Sequence, residues 1–86
     1  MYSVKLTPNA AESYRRAPVA LAKKLARCFA GLETEPHSHP NIRRLSGPLS
    51  GVYRYRVGDH RVVYRINEDK NEIVVVAIVH RSKAYE

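Results

Sequence analysis

The strongest constraint on how this chain can fold is local. Residues 52–57 read VYRYRV, residues 60–66 read HRVVYRI, and only Gly58-Asp59 separates them. Two alternating stretches joined by a two-residue Gly-X loop predict a β-hairpin with a type II′ turn. The short loop also sets the register. Val57 faces His60, and counting outward places Arg56 opposite Arg61, Tyr55 opposite Val62 and Arg54 opposite Val63. Directly opposed residues share a sheet face, as do residues two apart on one strand. One face therefore carries Arg54, Arg56, Arg61 and Arg65, and the other carries Tyr53, Tyr55, Val57, Val62, Tyr64 and Ile66. The second set is a core face. The first opposes like charges across the ladder, which lowers stability unless something anionic lies between them.

The rest of the chain supplies a cover for the core face. Tyr2, Val4 and Leu6 alternate with Ser3 and Lys5 as a short half-buried strand. Thr7-Pro8 reads as the N-cap and first helical position of a short helix over residues 9–16, which stops before Pro18. A second helix over residues 18–32 repeats Leu21, Leu25, Phe29 and Leu32 along one stripe, flanked by Ala22, Ala26 and Cys28, with Gly31 as its stop signal. Residues 33–40 form a loop, residues 41–45 a short strand and residues 46–51 a turn-rich connection. After a turn at 67–71, residues 72–79 form a strand that is apolar on both faces and is expected to be central and covered. Arg81 shares the parity of Val75, Ala77 and Val79, and joins the arginine cluster if that parity is the arginine face. The expected fold is α+β: an N-terminal strand and α-hairpin packed on one face of a twisted, mainly antiparallel sheet of four to five strands. Residues 1–86 are expected to form a single domain.

Charge narrows the partners. Fifteen Lys and Arg against eight Asp and Glu give a net +7, and residues 43–65 hold six Arg, one acid and no Lys. Both cations neutralise phosphate, but only Arg presents a planar bidentate fork that also stacks on a base. The expected partner is a polyanion. One Cys excludes a disulfide scaffold and a Cys-based zinc site within one chain. The longest apolar run, residues 73–79, is too short to span a bilayer, and residues 1–4 pass directly into a strand pattern with no visible leader. The expected compartment is the cytoplasm, with no membrane partner.

The stretch LSGPLSGVYRYRVGDHRVVYRI, residues 45–66, and the ending VHRSKAY, residues 79–85, resemble the RelE/ParE toxin superfamily, and the element order matches along nearly the whole chain. The resemblance implies a single RelE-like toxin domain from a type II toxin–antitoxin pair. RelE-like members cleave mRNA on the ribosome, in the A site, whereas ParE-like members inhibit DNA gyrase. Carried over by position, the two basic residues of the first hairpin strand are Arg54 and Arg56. The Arg opening the second hairpin strand is Arg61, the Arg after the last strand is Arg81, and the C-terminal Tyr is Tyr85. Many ParE-like members lack part of this set, so the resemblance favours a ribosome-dependent endoribonuclease over a gyrase inhibitor. A small RNA-binding domain without toxicity is the third reading. In the best-known branch the first two positions are Lys and the second is a proposed base; Arg is essentially never deprotonated, which makes Arg56 a poor proton acceptor.

RNA brings its own nucleophile, the 2′-hydroxyl, so such a site needs cations and geometry above all. Arg54 and Arg61 suit the phosphoryl oxygens, Arg81 the leaving 5′ oxygen, and Tyr85 a stacked base. No metal or small-molecule cofactor is called for. Arg43, Arg44, Arg65, Lys23, Lys24, Arg27 and Lys83 are candidate contacts to RNA and the ribosome. His80, beside Arg81, is the alternative acid or base, while His60 shares the core parity and reads as a strand-end cap. His37 and His39 read as a solvated loop rather than a metal fragment, and Cys28 as a packing residue. The implied partners are a cognate antitoxin, acidic and amphipathic, and the ribosome with its mRNA.

Overall fold

The computed structural model describes residues 1–45 and 51–83, with the side chain of Lys83 outside that description. In chain order it contains β1 (Ser3–Leu6), α1 (Pro8–Arg16), α2 (Val19–Thr34), β2 (Ile42–Arg44), β3 (Val52–Val57), β4 (His60–Asn67), β5 (Glu72–His80) and a 3-10 turn at Arg81–Lys83. The strands form one sheet in the order β1-β5-β4-β3-β2. β1 runs parallel to β5 and every other pair is antiparallel. β1 and β2 are opposite edges, so the α-hairpin that joins them must cross the sheet. It does so on one face only, with α1 against β5 and α2 against β1 and β3. The α+β expectation holds.

The hairpin has the expected register, with Val57 paired to His60, Arg56 to Arg61, Tyr55 to Val62 and Arg54 to Val63. Gly58 supplies the positive φ of 58° that a type II′ turn needs at its first central position, and Asp59 needs none. Beneath the helices lies the core. Leu25, Leu32, Val62, Tyr64, Ile73 and Val75 are fully buried, and Leu21, Phe29, Tyr53, Tyr55 and Ile66 pack around them. Each fully buried side chain of this kind contributes about 1.5–3 kcal/mol from burial alone. Tyr64 also donates from its hydroxyl to the Pro36 carbonyl at 2.8 Å, so its one polar atom is satisfied in the interior.

Three features depart from the sequence expectations. First, Gly31 does not end α2. The helix continues to Thr34 and stops at Glu35, which is extended (φ −144°, ψ 87°) because the following Pro36 disfavours helical backbone before it. Continuing past Gly31 buries Leu32, and the buried row is Leu25, Cys28 and Leu32, with Phe29 half-buried against Tyr14. Second, β5 is interior but the helices cover it on one side only; Val74, Ala77 and Val79 stay half-exposed. Third, β5 carries a β-bulge. Tyr64 pairs with Val75 and Val63 with Ala77, which leaves Val76 as the extra residue. Val75 therefore lies on the core face while Ala77 and Val79 lie on the arginine face, so the three do not share one parity.

Thr7 stabilises that bulge. Its backbone N–H donates to the Val75 carbonyl at 3.0 Å and its hydroxyl to the Val76 carbonyl at 3.2 Å. The same hydroxyl oxygen accepts from the Ala10 N–H at 3.3 Å as the N-cap of α1, with Pro8 at the first helical position. One side chain thus both opens the helix and satisfies the carbonyl freed by the extra residue.

Candidate nucleic-acid interface

The face of the sheet away from the helices carries the arginines. Arg43 on β2 pairs with Arg54 on β3, and Arg56 on β3 pairs with Arg61 on β4. Two directly opposed like-charge pairs on neighbouring strands are unfavourable without an anion to bridge them. Between them lies a cleft of about 390 Å³ lined by Pro40, Asn41, Arg43, Arg54, Arg56 and Arg61, with no acid among the lining residues. Arg61 is held on one side by its own strand, its guanidinium donating to the His60 carbonyl at 3.3 Å. Among the described residues none of Arg43, Arg56 and Arg61 takes part in an ion pair. Guanidinium groups converging on a polar cleft make an oxyanion site, suited to phosphoryl oxygens.

The other basic positions are placed unequally. Val79 pairs with Arg61 on the arginine face, and Arg81 follows the end of β5 in the 3-10 turn. Arg81 does not line the cleft. Its N–H donates to the Asp59 carbonyl at 2.6 Å and its guanidinium stands 3.8 Å from the Asp59 carboxylate, which ties it to the hairpin turn. Arg44 pairs with Tyr53 on the opposite face, its guanidinium 6.0 Å over the Tyr53 ring, so the neighbours Arg43 and Arg44 part company. Arg65 lies at the far end of its strand in a separate pocket with Asn67, Glu68 and Asp69. Lys24 and Arg27, one turn apart on α2, line a groove with Asn41, Tyr55, Arg56 and Gly58, whereas Lys23 is exposed and outside it. Tyr85 and the Lys83 side chain lie outside the described residues.

The histidines go elsewhere. His80 pairs with His60, their rings edge to face at 5.2 Å, on the helix side of the sheet. The Ser82 N–H donates to His80 Nδ1 at 3.2 Å, so a neutral His80 ring carries its proton on Nε2. The structure does not bring His80 to the arginine cleft. His37 is bound at 2.7 Å to Glu68, and His39 stacks on Tyr55 at 5.2 Å, so the two point to different partners. Tyr2 also donates to Glu68, and this hydrogen bond, followed by that from His37, holds the Glu68 carboxyl below its ordinary range. Burial pushes the Cys28 thiol up to about 12, as befits a packing residue. Among the described residues no group of three or more His, Cys, Asp or Glu could hold a metal ion, and no helix is long and apolar enough to cross a membrane. Sequence reasoning missed Pro40 and Asn41 as cleft residues; neither carries charge, and only the sheet edge brings them there.

Fold and site together define a small basic α+β domain with an arginine-lined cleft on the helix-free face of its sheet. The family model for the ParE toxin of type II toxin–antitoxin systems, parDE, matches residues 4–85. Toxin RelE of Mycobacterium tuberculosis is 32% identical over 85 residues, covering 98% of this chain and 86% of the relative. Toxin RelG of the same organism is 29% identical over 86 residues, covering 98% and 95%. The toxin in the archaeal RelE-RelB complex from Pyrococcus horikoshii OT3 is similar in structure, with a TM-score of 0.82 and 27% identity over 96% of this chain and 98% of that one. The chain belongs to the RelE/ParE superfamily of type II toxin–antitoxin toxins.

Proposed function

We propose that the protein is a ribosome-dependent endoribonuclease that cleaves mRNA in the A site. The observation that carries this reading is the cleft on the helix-free face, where Arg43, Arg54, Arg56 and Arg61 meet with no acid in the lining. The substrate's 2′-hydroxyl gives up its proton to solvent and attacks the adjacent phosphorus. The P–O bond to the 5′ oxygen breaks and that oxygen takes a proton from solvent, and the products are a 2′,3′-cyclic phosphate and a 5′-hydroxyl. Charge grows on the phosphoryl oxygens as the transition state forms. Arg54 and Arg61 stabilise it there, and losing one such preorganised donor typically lowers the rate by about 10²–10³. Arg81, tied to Asp59 at the hairpin turn, stabilises the leaving 5′ oxygen, and Tyr85 stacks on a base to hold the strand in line. Arg56 acts as a charge, since a guanidinium stays protonated.

A cognate antitoxin is the natural partner. The similar archaeal toxin is found in a RelE-RelB complex, and a net charge of +7 favours association with an acidic segment. A second reading, gyrase inhibition, rests on the family model, which carries the ParE name. One preparation of the protein separates the two. Cleavage of ribosome-bound mRNA with gyrase supercoiling unaffected supports the first; inhibited supercoiling with intact mRNA overturns it.

A further inference from the structure

The arginine cleft does not end at the sheet. β2 covers only three residues, and the Arg56 N–H already bonds to the Asn41 carbonyl just before that strand begins, at 2.9 Å. The end of β3 and the turn after it are therefore left as a bare edge. Over this edge lies a second groove of about 300 Å³, whose lining includes Lys24, Arg27, Asn41, Arg56 and Gly58. Lys24 and Arg27 belong to α2, on the other side of the sheet from the cleft. The hairpin turn lies beside Lys24: a Cβ at Gly58 would stand 3.9 Å from its ammonium, in ordinary van der Waals contact.

Cleft and groove share two residues, Asn41 and Arg56, and together they present Arg43, Arg54, Arg61, Arg56, Lys24 and Arg27 with no acid in either lining. Among the described residues neither Lys24 nor Arg27 enters an ion pair. The geometry points to a second phosphate subsite at Lys24 and Arg27, which takes a flanking phosphate of the same RNA strand whose scissile phosphate sits in the arginine cleft. The strand bends around the edge at Arg56, which faces both phosphates and positions one relative to the other. The inference rests on the RNA-cleaving reading for its ligand. It extends that reading by making the substrate a strand of several nucleotides held on both sides of the sheet, rather than a single linkage. Lys24 and Arg27 lie one helical turn apart, the spacing at which two helical side chains reach one ligand.

The test is binding of uncleavable 2′-O-methyl RNA oligomers, over the roughly 4–16 nucleotides that single-strand sites span. Anisotropy is read at several salt concentrations for the wild type, Lys24→Gln with Arg27→Gln, and Arg27→Lys. The wild type is expected to show a step in affinity once the strand is long enough to reach the groove. The double variant loses that step, binds long oligomers about tenfold or more weakly, and meets the wild type at the shortest length. Its slope of log affinity against log salt shrinks by about 0.7 for each phosphate released. Arg27→Lys restores most of the salt slope, and circular dichroism checks that both variants are folded. Equal losses at every length overturn the subsite, as does no loss at any length or a wild type without a step. No step with oligomers, together with weaker binding of the double variant to vacant ribosomes, assigns the groove to ribosomal RNA and also overturns the same-strand proposal. A length step without mRNA cleavage removes the nuclease reading and leaves the subsite standing.

Discussion

Replacing Thr7 dissects how the bulge and the first helix are held. Its hydroxyl accepts from Ala10 N–H and donates to the Val76 carbonyl, so Thr7→Ala removes an N-cap and one hydrogen bond to the bulge together. The cap is worth about 1 kcal/mol and the bulge bond about another 1 kcal/mol, giving a loss of about 2 kcal/mol. In urea, with a slope of about 1–3 kcal/mol/M for a domain of this size, the midpoint falls by about 1 M. Thr7→Ser keeps both bonds and stays within about 0.5 kcal/mol of the wild type. Thr7→Asp keeps the cap acceptor but has no proton for Val76 at neutral pH, so it falls between the two. Equilibrium urea unfolding followed by circular dichroism gives all four values. If Thr7→Ala costs under about 0.5 kcal/mol, or Thr7→Asp matches the wild type, the dual role is wrong.

Three further outcomes follow from the packing. Tyr64→Phe leaves the buried Pro36 carbonyl without its partner and lowers stability by about 1–3 kcal/mol, a fall of roughly 5–20 °C in thermal midpoint; an unchanged midpoint counts against the bond. Cys28 is buried and its thiol is pushed up to about 12, so at pH 8 a thiol reagent reacts only as fast as the protein opens; rapid labelling of the native protein contradicts this. Tyr2→Phe removes the main cause of the lowered Glu68 value and moves its carboxyl titration, read by NMR, up toward the ordinary value near ~4.3. Because that folded value is lowered, the contact's stabilisation is complete above the unfolded carboxylate value and is lost as pH falls through the folded one. The variant and the wild type then converge in acid, and an unmoved Glu68 titration refutes the assignment.

Much of the architecture was readable because short-range rules determine it. A two-residue loop leaves one register for the hairpin, and that register sorts Arg54, Arg56 and Arg61 from Tyr53, Tyr55 and Tyr64. The bulge was not readable. Residues 73–79 are apolar at every position, so no alternation marks where parity changes, and only Thr7, distant in sequence, reveals where the extra carbonyl is satisfied. α2 outruns Gly31 because a helical Gly is a weaker signal than the backbone restriction before Pro36. Arg43 and Arg44 read as one cluster until strand pairing sent them to opposite faces. Likewise, nothing local distinguishes Lys24 and Arg27 from a solvated helix face; their position at the sheet edge comes from how α2 packs on β3.

An arginine cleft that stabilises a phosphoryl-transfer transition state, as proposed, must show itself in the chemical step. Single-turnover cleavage of mRNA in the A site, at saturating ribosome, measures the chemical step itself. Arg61→Ala is expected to slow this step by about two orders of magnitude or more, with Arg81→Ala similar and the cyclic-phosphate product unchanged. If both variants cleave ribosome-bound mRNA at the wild-type rate, this face is not where the chemistry occurs.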